Sequence, residues 1–113
     1  MKLAGEAKLL RIFLGESDKH QGRLLYEVIV EEARRAGLAG ATAFRGSLGF
    51  GAHSHVHTDR ILRLSEDLPM LVEIVDTQEK IDAFLPRLDE LMVEGLITME
   101  KVQVIAYRTN REP

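Results

Sequence analysis

The chain has 113 residues, 45% of them hydrophobic and 29% charged, with a formal net charge of −3. That length fits one small domain around a single core, and that balance is globular rather than disordered. The lack of cysteine excludes disulfide scaffolds and thiolate metal or redox chemistry; no basic stripe favours nucleic acid, and no apolar run approaches the ~20 residues of a membrane span.

The first residues carry charges at Glu6, Lys8 and Arg11, which break up any signal-peptide core. The expectation is a cytoplasmic protein with no membrane insertion and no nucleic-acid partner. "KLLRIFL", Lys8 to Leu14, is a strand that places Leu10, Ile12 and Leu14 on one face by period two. "GESDKHQG" follows as a polar loop. A helix then runs from about Arg23 to Ala36 on the apolar stripe Leu24, Leu25, Val28, Ile29 and Ala33, and Gly37 stops it.

Gly40 to Phe50 is a second strand, weakened by Gly46 and Gly49. "RILRL" (Arg60 to Leu64) and "MLVEIV" (Met70 to Val75) read as strand on either side of "SEDLP", where Pro69 cannot donate to a ladder and marks a break or an edge. Asp76 is the expected N-cap of a second helix, with Glu79 three residues on. Ile81, Phe84, Leu85, Leu88, Leu91 and Met92 keep helical spacing to about Glu94, across Pro86, which removes one backbone bond. Gly95 ends that helix, and Ile97 to Tyr107 is the last strand.

This order, βαββαβ, predicts an α+β ferredoxin-like plait: a four-stranded antiparallel sheet with both helices on one face. It makes one domain over residues 1–107, with a tail at 108–113. The second sheet face is not cleanly polar. Leu9 and Phe13 oppose the Leu10 set, Leu71 and Val75 oppose Met70, Val72 and Ile74, and Ile105 and Tyr107 oppose Val102, Val104 and Ala106. A solvated face alternates to polar residues, so another copy of the chain is expected to cover this one.

"GFGAHSHVH" (Gly49 to His57) holds three of the chain's four histidines. His53 and His55, ~6.6 Å apart in an extended segment, can share an ion. His57 lies too far along for the same ion, so a third ligand would come from His20, Asp59 or another subunit. Three imidazoles would also permit pH sensing. "GFGAHS" is neither a dinucleotide fingerprint nor a P-loop; Gly46, Gly49 and Gly51 read as hinges. Phe50 between two of them packs into an adjacent subunit or folds over a ligand. Ser17, Asp18 and His20 crowd one loop, where the members of a catalytic triad seldom converge. No general acid or base converges on the histidines, so a binding module is favoured over an enzyme.

Together, "GESDKHQGRLLYE", "FRGSLGFGAHSHVHT", "LSEDLPMLVEIVDT" and "GLITMEKVQVI" resemble the small PII-like signalling family of uncharacterised bacterial and archaeal proteins, from about Lys8 to Tyr107. The resemblance implies a homotrimer with sheets facing inward, a ligand in the clefts between subunits, and a loop at 50–60 that docks on a protein partner such as an enzyme or membrane transporter. It implies a nucleotide or other anionic small molecule as ligand. The residues it implicates in ligand or partner binding are Gly46, Gly49, Phe50, Gly51, His53, His55, Arg60 and Arg108. Arg108 is similar to the arginine that ends the last strand of true PII proteins. Their glycine- and lysine-containing turn reads "VEGLITM" here, with Leu96 after Gly95. Metal at His53 and His55 is the alternative use of the loop. Two imidazoles alone make a weak site, so zinc titration should find no stoichiometric micromolar binding. Such binding, lost in a His53→Ala, His55→Ala double variant, would reverse that choice.

Overall fold

The computed structural model describes residues 4–51 and 67–109. The strand expected at Arg60–Leu64 and the histidine loop lie outside them. Six strands and two helices follow in the order β1 (Gly5–Gly15), β2 (Lys19–His20), β3 (Arg23–Leu24), α1 (Leu25–Arg35), β4 (Ala41–Arg45), β5 (Pro69–Asp76), α2 (Gln78–Leu91) and β6 (Leu96–Val104). The main sheet has the order β4-β5-β1-β6, all neighbours antiparallel. This is the expected ferredoxin-like plait.

The strands form as period-two patterns with one buried face. In β1, Leu10, Ile12 and Leu14 lie opposite Ile74, Val72 and Met70 of β5, and all six are buried. Leu25, Val28, Ile29 and Ala33 of α1 close over them with Ile81, Phe84, Leu88 and Leu91 of α2. Each such side chain contributes roughly 1.5–3 kcal/mol on burial. The helices stop short of β6, where Ile97 and Met99, on the same side, stay partly exposed.

The ends of α1 and α2 are chemically defined. Gly37 (φ +80°) follows the α1 C-cap Ala36. Its N–H donates to Arg34 O at 3.0 Å, and Leu38 N–H to Ala33 O at 3.1 Å. This is the Schellman pattern that satisfies the last carbonyls. Lys80 Nζ of α2 donates to Gly37 O at 2.7 Å. The N-cap of α2 is Thr77, whose hydroxyl accepts from Lys80 N at 3.3 Å, and not Asp76 as the sequence pattern predicts. Asp76 ends β5 on the helix side, fully buried. Its carboxylate accepts from Ala39 N at 2.8 Å and Thr77 N at 2.7 Å, tying the α1–β4 connection to the start of α2.

Four further stretches differ from the sequence reading. The loop before α1 contains the hairpin β2–β3, with Gln21 (φ 51°) and Gly22 (φ 83°) at its tip, the two positive φ values of a type I′ turn. Pro69 opens β5 rather than breaking it, at a strand start where its missing N–H costs no ladder bond. Strand β4 ends at Arg45: a Cβ on Gly46 would stand 2.8 Å from the Pro69 ring, and Gly46 N–H closes the ladder on Pro69 O at 2.7 Å. Strand β6 ends at Val104, and the chain leaves the sheet before Tyr107. The Tyr107 hydroxyl donates to Ala39 O at 3.1 Å. Because β6 and β4 are opposite edges, this segment crosses the sheet. There Val104 and Tyr107 share a cleft of about 340 Å³ with Ala39, Thr42 and Val75.

The face away from the helices is therefore layered along the strands. At one end Phe44, Leu71, Phe13 and Leu96 form an apolar row across all four strands; the next row is Thr42, Glu73, Arg11 and Thr98. Beyond it come Leu9 and Ala7, and then the crossing segment. The half-apolar character expected on this face holds for β1 and β5. On β6 it is carried by Leu96, Val102 and Val104, not by Ile105 and Tyr107.

Asp76 gives a direct test of the link it makes. Asp76→Ala leaves two backbone donors without their acceptor and should cost about 1–3 kcal/mol in urea unfolding. Asp76→Asn, which keeps one acceptor oxygen, should lose less.

Candidate functional site

A cavity of about 430 Å³ opens at the end of the sheet where β1 and β4 finish and β5 and β6 begin. Its apolar walls are Phe13, Leu96 and Pro69, with Phe50 at the mouth; Gly51 and Gly95 supply backbone. Backbone hydrogen bonding continues past the β1–β5 ladder here, since Glu16 N–H donates to Leu68 O at 2.7 Å.

Asp18, Asp67 and Glu94 are the polar side chains lining the cavity. Asp18 Oδ2 accepts from Gly15 N at 3.0 Å. Asp67 Oδ1 accepts from Ser17 N at 3.2 Å and from Ser17 Oγ at 2.8 Å. A Cβ on Gly15 would lie 2.5 Å from Asp67 Oδ1 and 3.0 Å from Asp18 Oδ1, so glycine is what lets both carboxylates close on the strand end. With Ser17 held by Asp67 and Asp18 by Gly15, this loop forms no serine–histidine relay. Among the described residues no lysine or arginine lines the cavity, and no group of three His, Cys, Asp or Glu side chains is placed to hold a metal ion.

Of the residues singled out from sequence, Phe50 and Gly51 line the cavity, and Gly46 and Gly49 pack against Pro69 at its rim. Phe50 is 74% exposed. His53, His55 and Arg60 lie outside the described residues. Arg108 is exposed and next to Tyr107, at the Ala39 end of the sheet. Within one chain it is not brought to the cavity. Sequence reasoning missed Asp18 and Asp67 as cavity residues. Their only signal is position: an acid three residues after Gly15 and another two before Pro69, at the facing ends of β1 and β5.

Arg11, in the middle of the face that no described helix covers, is the second polar centre. Its Nε donates to Glu73 Oε2 at 3.0 Å, and Nη1 lies 3.5 Å from Glu100 Oε2. The hydrogen bond to Glu73 holds the Arg11 guanidinium above its ordinary value, with Glu100 adding to it.

The chain matches the DUF190 family model, described as "Uncharacterized ACR", over residues 7–104. It is 41% identical over 98 residues to a UPF0166 protein of Aquifex aeolicus, spanning 87% of this chain and 92% of that relative. A UPF0166 protein of Methanocaldococcus jannaschii is 40% identical over 105 residues, 92% of this chain and 96% of the relative. Among solved structures, a PII-like signaling protein from Thermus thermophilus aligns with a TM-score of 0.62 at 24% identity, covering 93% of this chain and 94% of the other. CPII from Thiomonas intermedia K12, bound to ADP and bicarbonate, aligns with a TM-score of 0.55 at 21% identity, covering 88% of each chain. At those identities the likeness is one of fold.

Gly95 sets the shape of the cavity floor. It has φ +135°, and a Cβ there would meet Met92 Cε and stand 2.6 Å from Phe13 O. Gly95→Ala should therefore cost about 1–3 kcal/mol, read as a lower thermal midpoint. Leu96→Ala, which removes side chain without straining backbone, should widen the cavity at a smaller cost.

Proposed function

The chain belongs to the DUF190 (UPF0166) family, and from that premise we propose that it is a PII-like regulatory binding module. It holds a small ligand in clefts between copies and reports it to a protein partner through the loop at 50–60. The observation that carries this reading is the position of the cavity. Phe50 and Gly51, where the loop departs, share its walls with Phe13 at the end of β1 and with Gly95 before β6. A ligand seated there touches the root of the loop directly, so binding can be passed to whatever the loop contacts.

The cavity belongs to a trimer in this reading, and groups beyond its described walls complete it. The described walls carry carboxylates and no cation, whereas an anionic ligand needs donors and positive charge. Arg108 of a neighbouring copy is one source; Arg60, His53 and His55 of the loop are others. The PII-like CPII bound to ADP and bicarbonate supports a nucleotide or another small anion as the first ligands to try. The protein acts in the cytoplasm and binds no nucleic acid. Among the described residues no helix is long and apolar enough to cross a membrane, so a membrane transporter enters only as a partner.

Thermal-shift measurements with ADP, AMP, ATP and bicarbonate test this reading. A ligand at 100 times its dissociation constant should add ~2.7 kcal/mol to stability, and Phe50→Ala should reduce the shift. No shift with any of the four would overturn the assignment of an anionic ligand to this cavity.

A further inference from the structure

Arg11, Glu73 and Glu100 lie on a sheet face with no helix over it. An exposed pair of this kind contributes about 0–1 kcal/mol to a single chain, and the side chains of Arg11 and Glu73 are 36% and 30% exposed. Charges in this position add little to the folding of one chain, yet they border an exposed apolar row on the same face. On one side of them is the row Phe44, Leu71, Phe13 and Leu96, of which Phe44 remains 48% and Leu96 56% exposed. On the other side are Leu9 and Ala7, which are already buried within the chain, so among the described residues beside the charges the exposed apolar area lies on the Phe44–Leu96 side alone.

The donor and acceptor balance of the cluster is uneven. A guanidinium carries five N–H donors, and Arg11 reaches its two carboxylates through Nε and Nη1. No described residue accepts from Nη2. The Glu100 side chain is 59% exposed on the edge strand β6, and no described residue donates to its Oε1. One chain thus offers spare donors on its central strand and a spare acceptor on its edge strand, on the same face. If that face is covered, both must be paired, because a buried charge with an unmet hydrogen bond is strongly destabilising.

We propose that Arg11 and Glu100 form the recognition lock by which the open sheet face accepts a second copy of this chain, Glu100 of one copy facing Arg11 of the next. This rests on the reading that the face is buried in a self-assembly. A contact between two different patches of the same chain is heterologous, and repeated by rotation it closes a ring. The apolar row supplies contact area, and the charged row beside it fixes the register and rejects other apolar surfaces, which would leave Arg11 and its carboxylates unpaired.

The test uses light scattering and sedimentation of the full chain, with Glu100→Arg and, as a control of equal charge change, Asp89→Arg on the exposed side of α2. The wild type should assemble at micromolar concentration. Glu100→Arg should weaken assembly at least tenfold, and Asp89→Arg should leave it unchanged. Circular dichroism should show the Glu100→Arg subunit folded, since its parent side chain is exposed. If the wild type assembles and Glu100→Arg assembles as tightly, the lock is wrong and the covered face stands. If both substitutions weaken assembly equally, the effect is net charge and the lock is again overturned. A monomeric wild type would remove the covered face and the lock together.

Discussion

Strand β1 has a partner along both edges, β5 on one side and β6 on the other, and most of the molecule is arranged by that placement. Its even-numbered residues from Leu10 to Leu14 are the floor on which both helices rest. Its odd-numbered residues, Leu9, Arg11 and Phe13, point to the side that no helix reaches. Because side chains alternate strictly along a strand, a slip of one residue would bring Arg11 beneath the helices and expose Leu10 and Ile12. The register is therefore selected by the burial of Leu10 and Ile12 and by the cost of carrying the Arg11 charge into the core.

The two faces also explain which parts of the structure could be read from sequence. Leu10, Ile12 and Leu14 announce a buried strand by themselves, as does the stripe from Leu25 to Ala33, and Gly37 marks the helix end it makes. These are local signals with local consequences. Asp76 and Thr77 are adjacent residues that both cap helices, and the chain alone does not choose between them. The choice falls to Thr77 because β5 carries Asp76 into the interior, where Ala39 N–H needs an acceptor. The alternation of β6 continues in the sequence through Tyr107, but the strand ends at Val104 because Tyr107 finds the carbonyl of Ala39, 68 residues away.

The cavity follows the same division. The glycines and Phe50 that mark the start of the loop are at its rim, because a loop leaving a sheet edge must begin beside the strand ends. Asp18 and Asp67 come together only when β1 and β5 pair. Arg108 is separated from the cavity by the length of the sheet, and family likeness at a strand end does not tell which copy's cavity an arginine serves. Polarity divides the molecule further: the cavity lining carries carboxylates, Arg45 pairs with Glu16 beside that end of the sheet, and other arginines are engaged with glutamates elsewhere, Arg11 on the sheet and Arg23 and Arg87 along the helices.

The pairing of β1 with β6 joins residues as far apart as Gly5 and Val104, 99 positions along the chain. Loop closure over that distance has to precede the contacts that reward it, which slows folding. During synthesis the first strand leaves the ribosome long before its last neighbour exists. Until β6 arrives, one edge of β1 presents unpaired N–H and C=O groups beside Leu9 and Phe13, an open template for pairing with another chain. For a chain whose described helices cover only one face of the sheet, the interval between the first and last strands is when correct and incorrect strand pairing compete most directly.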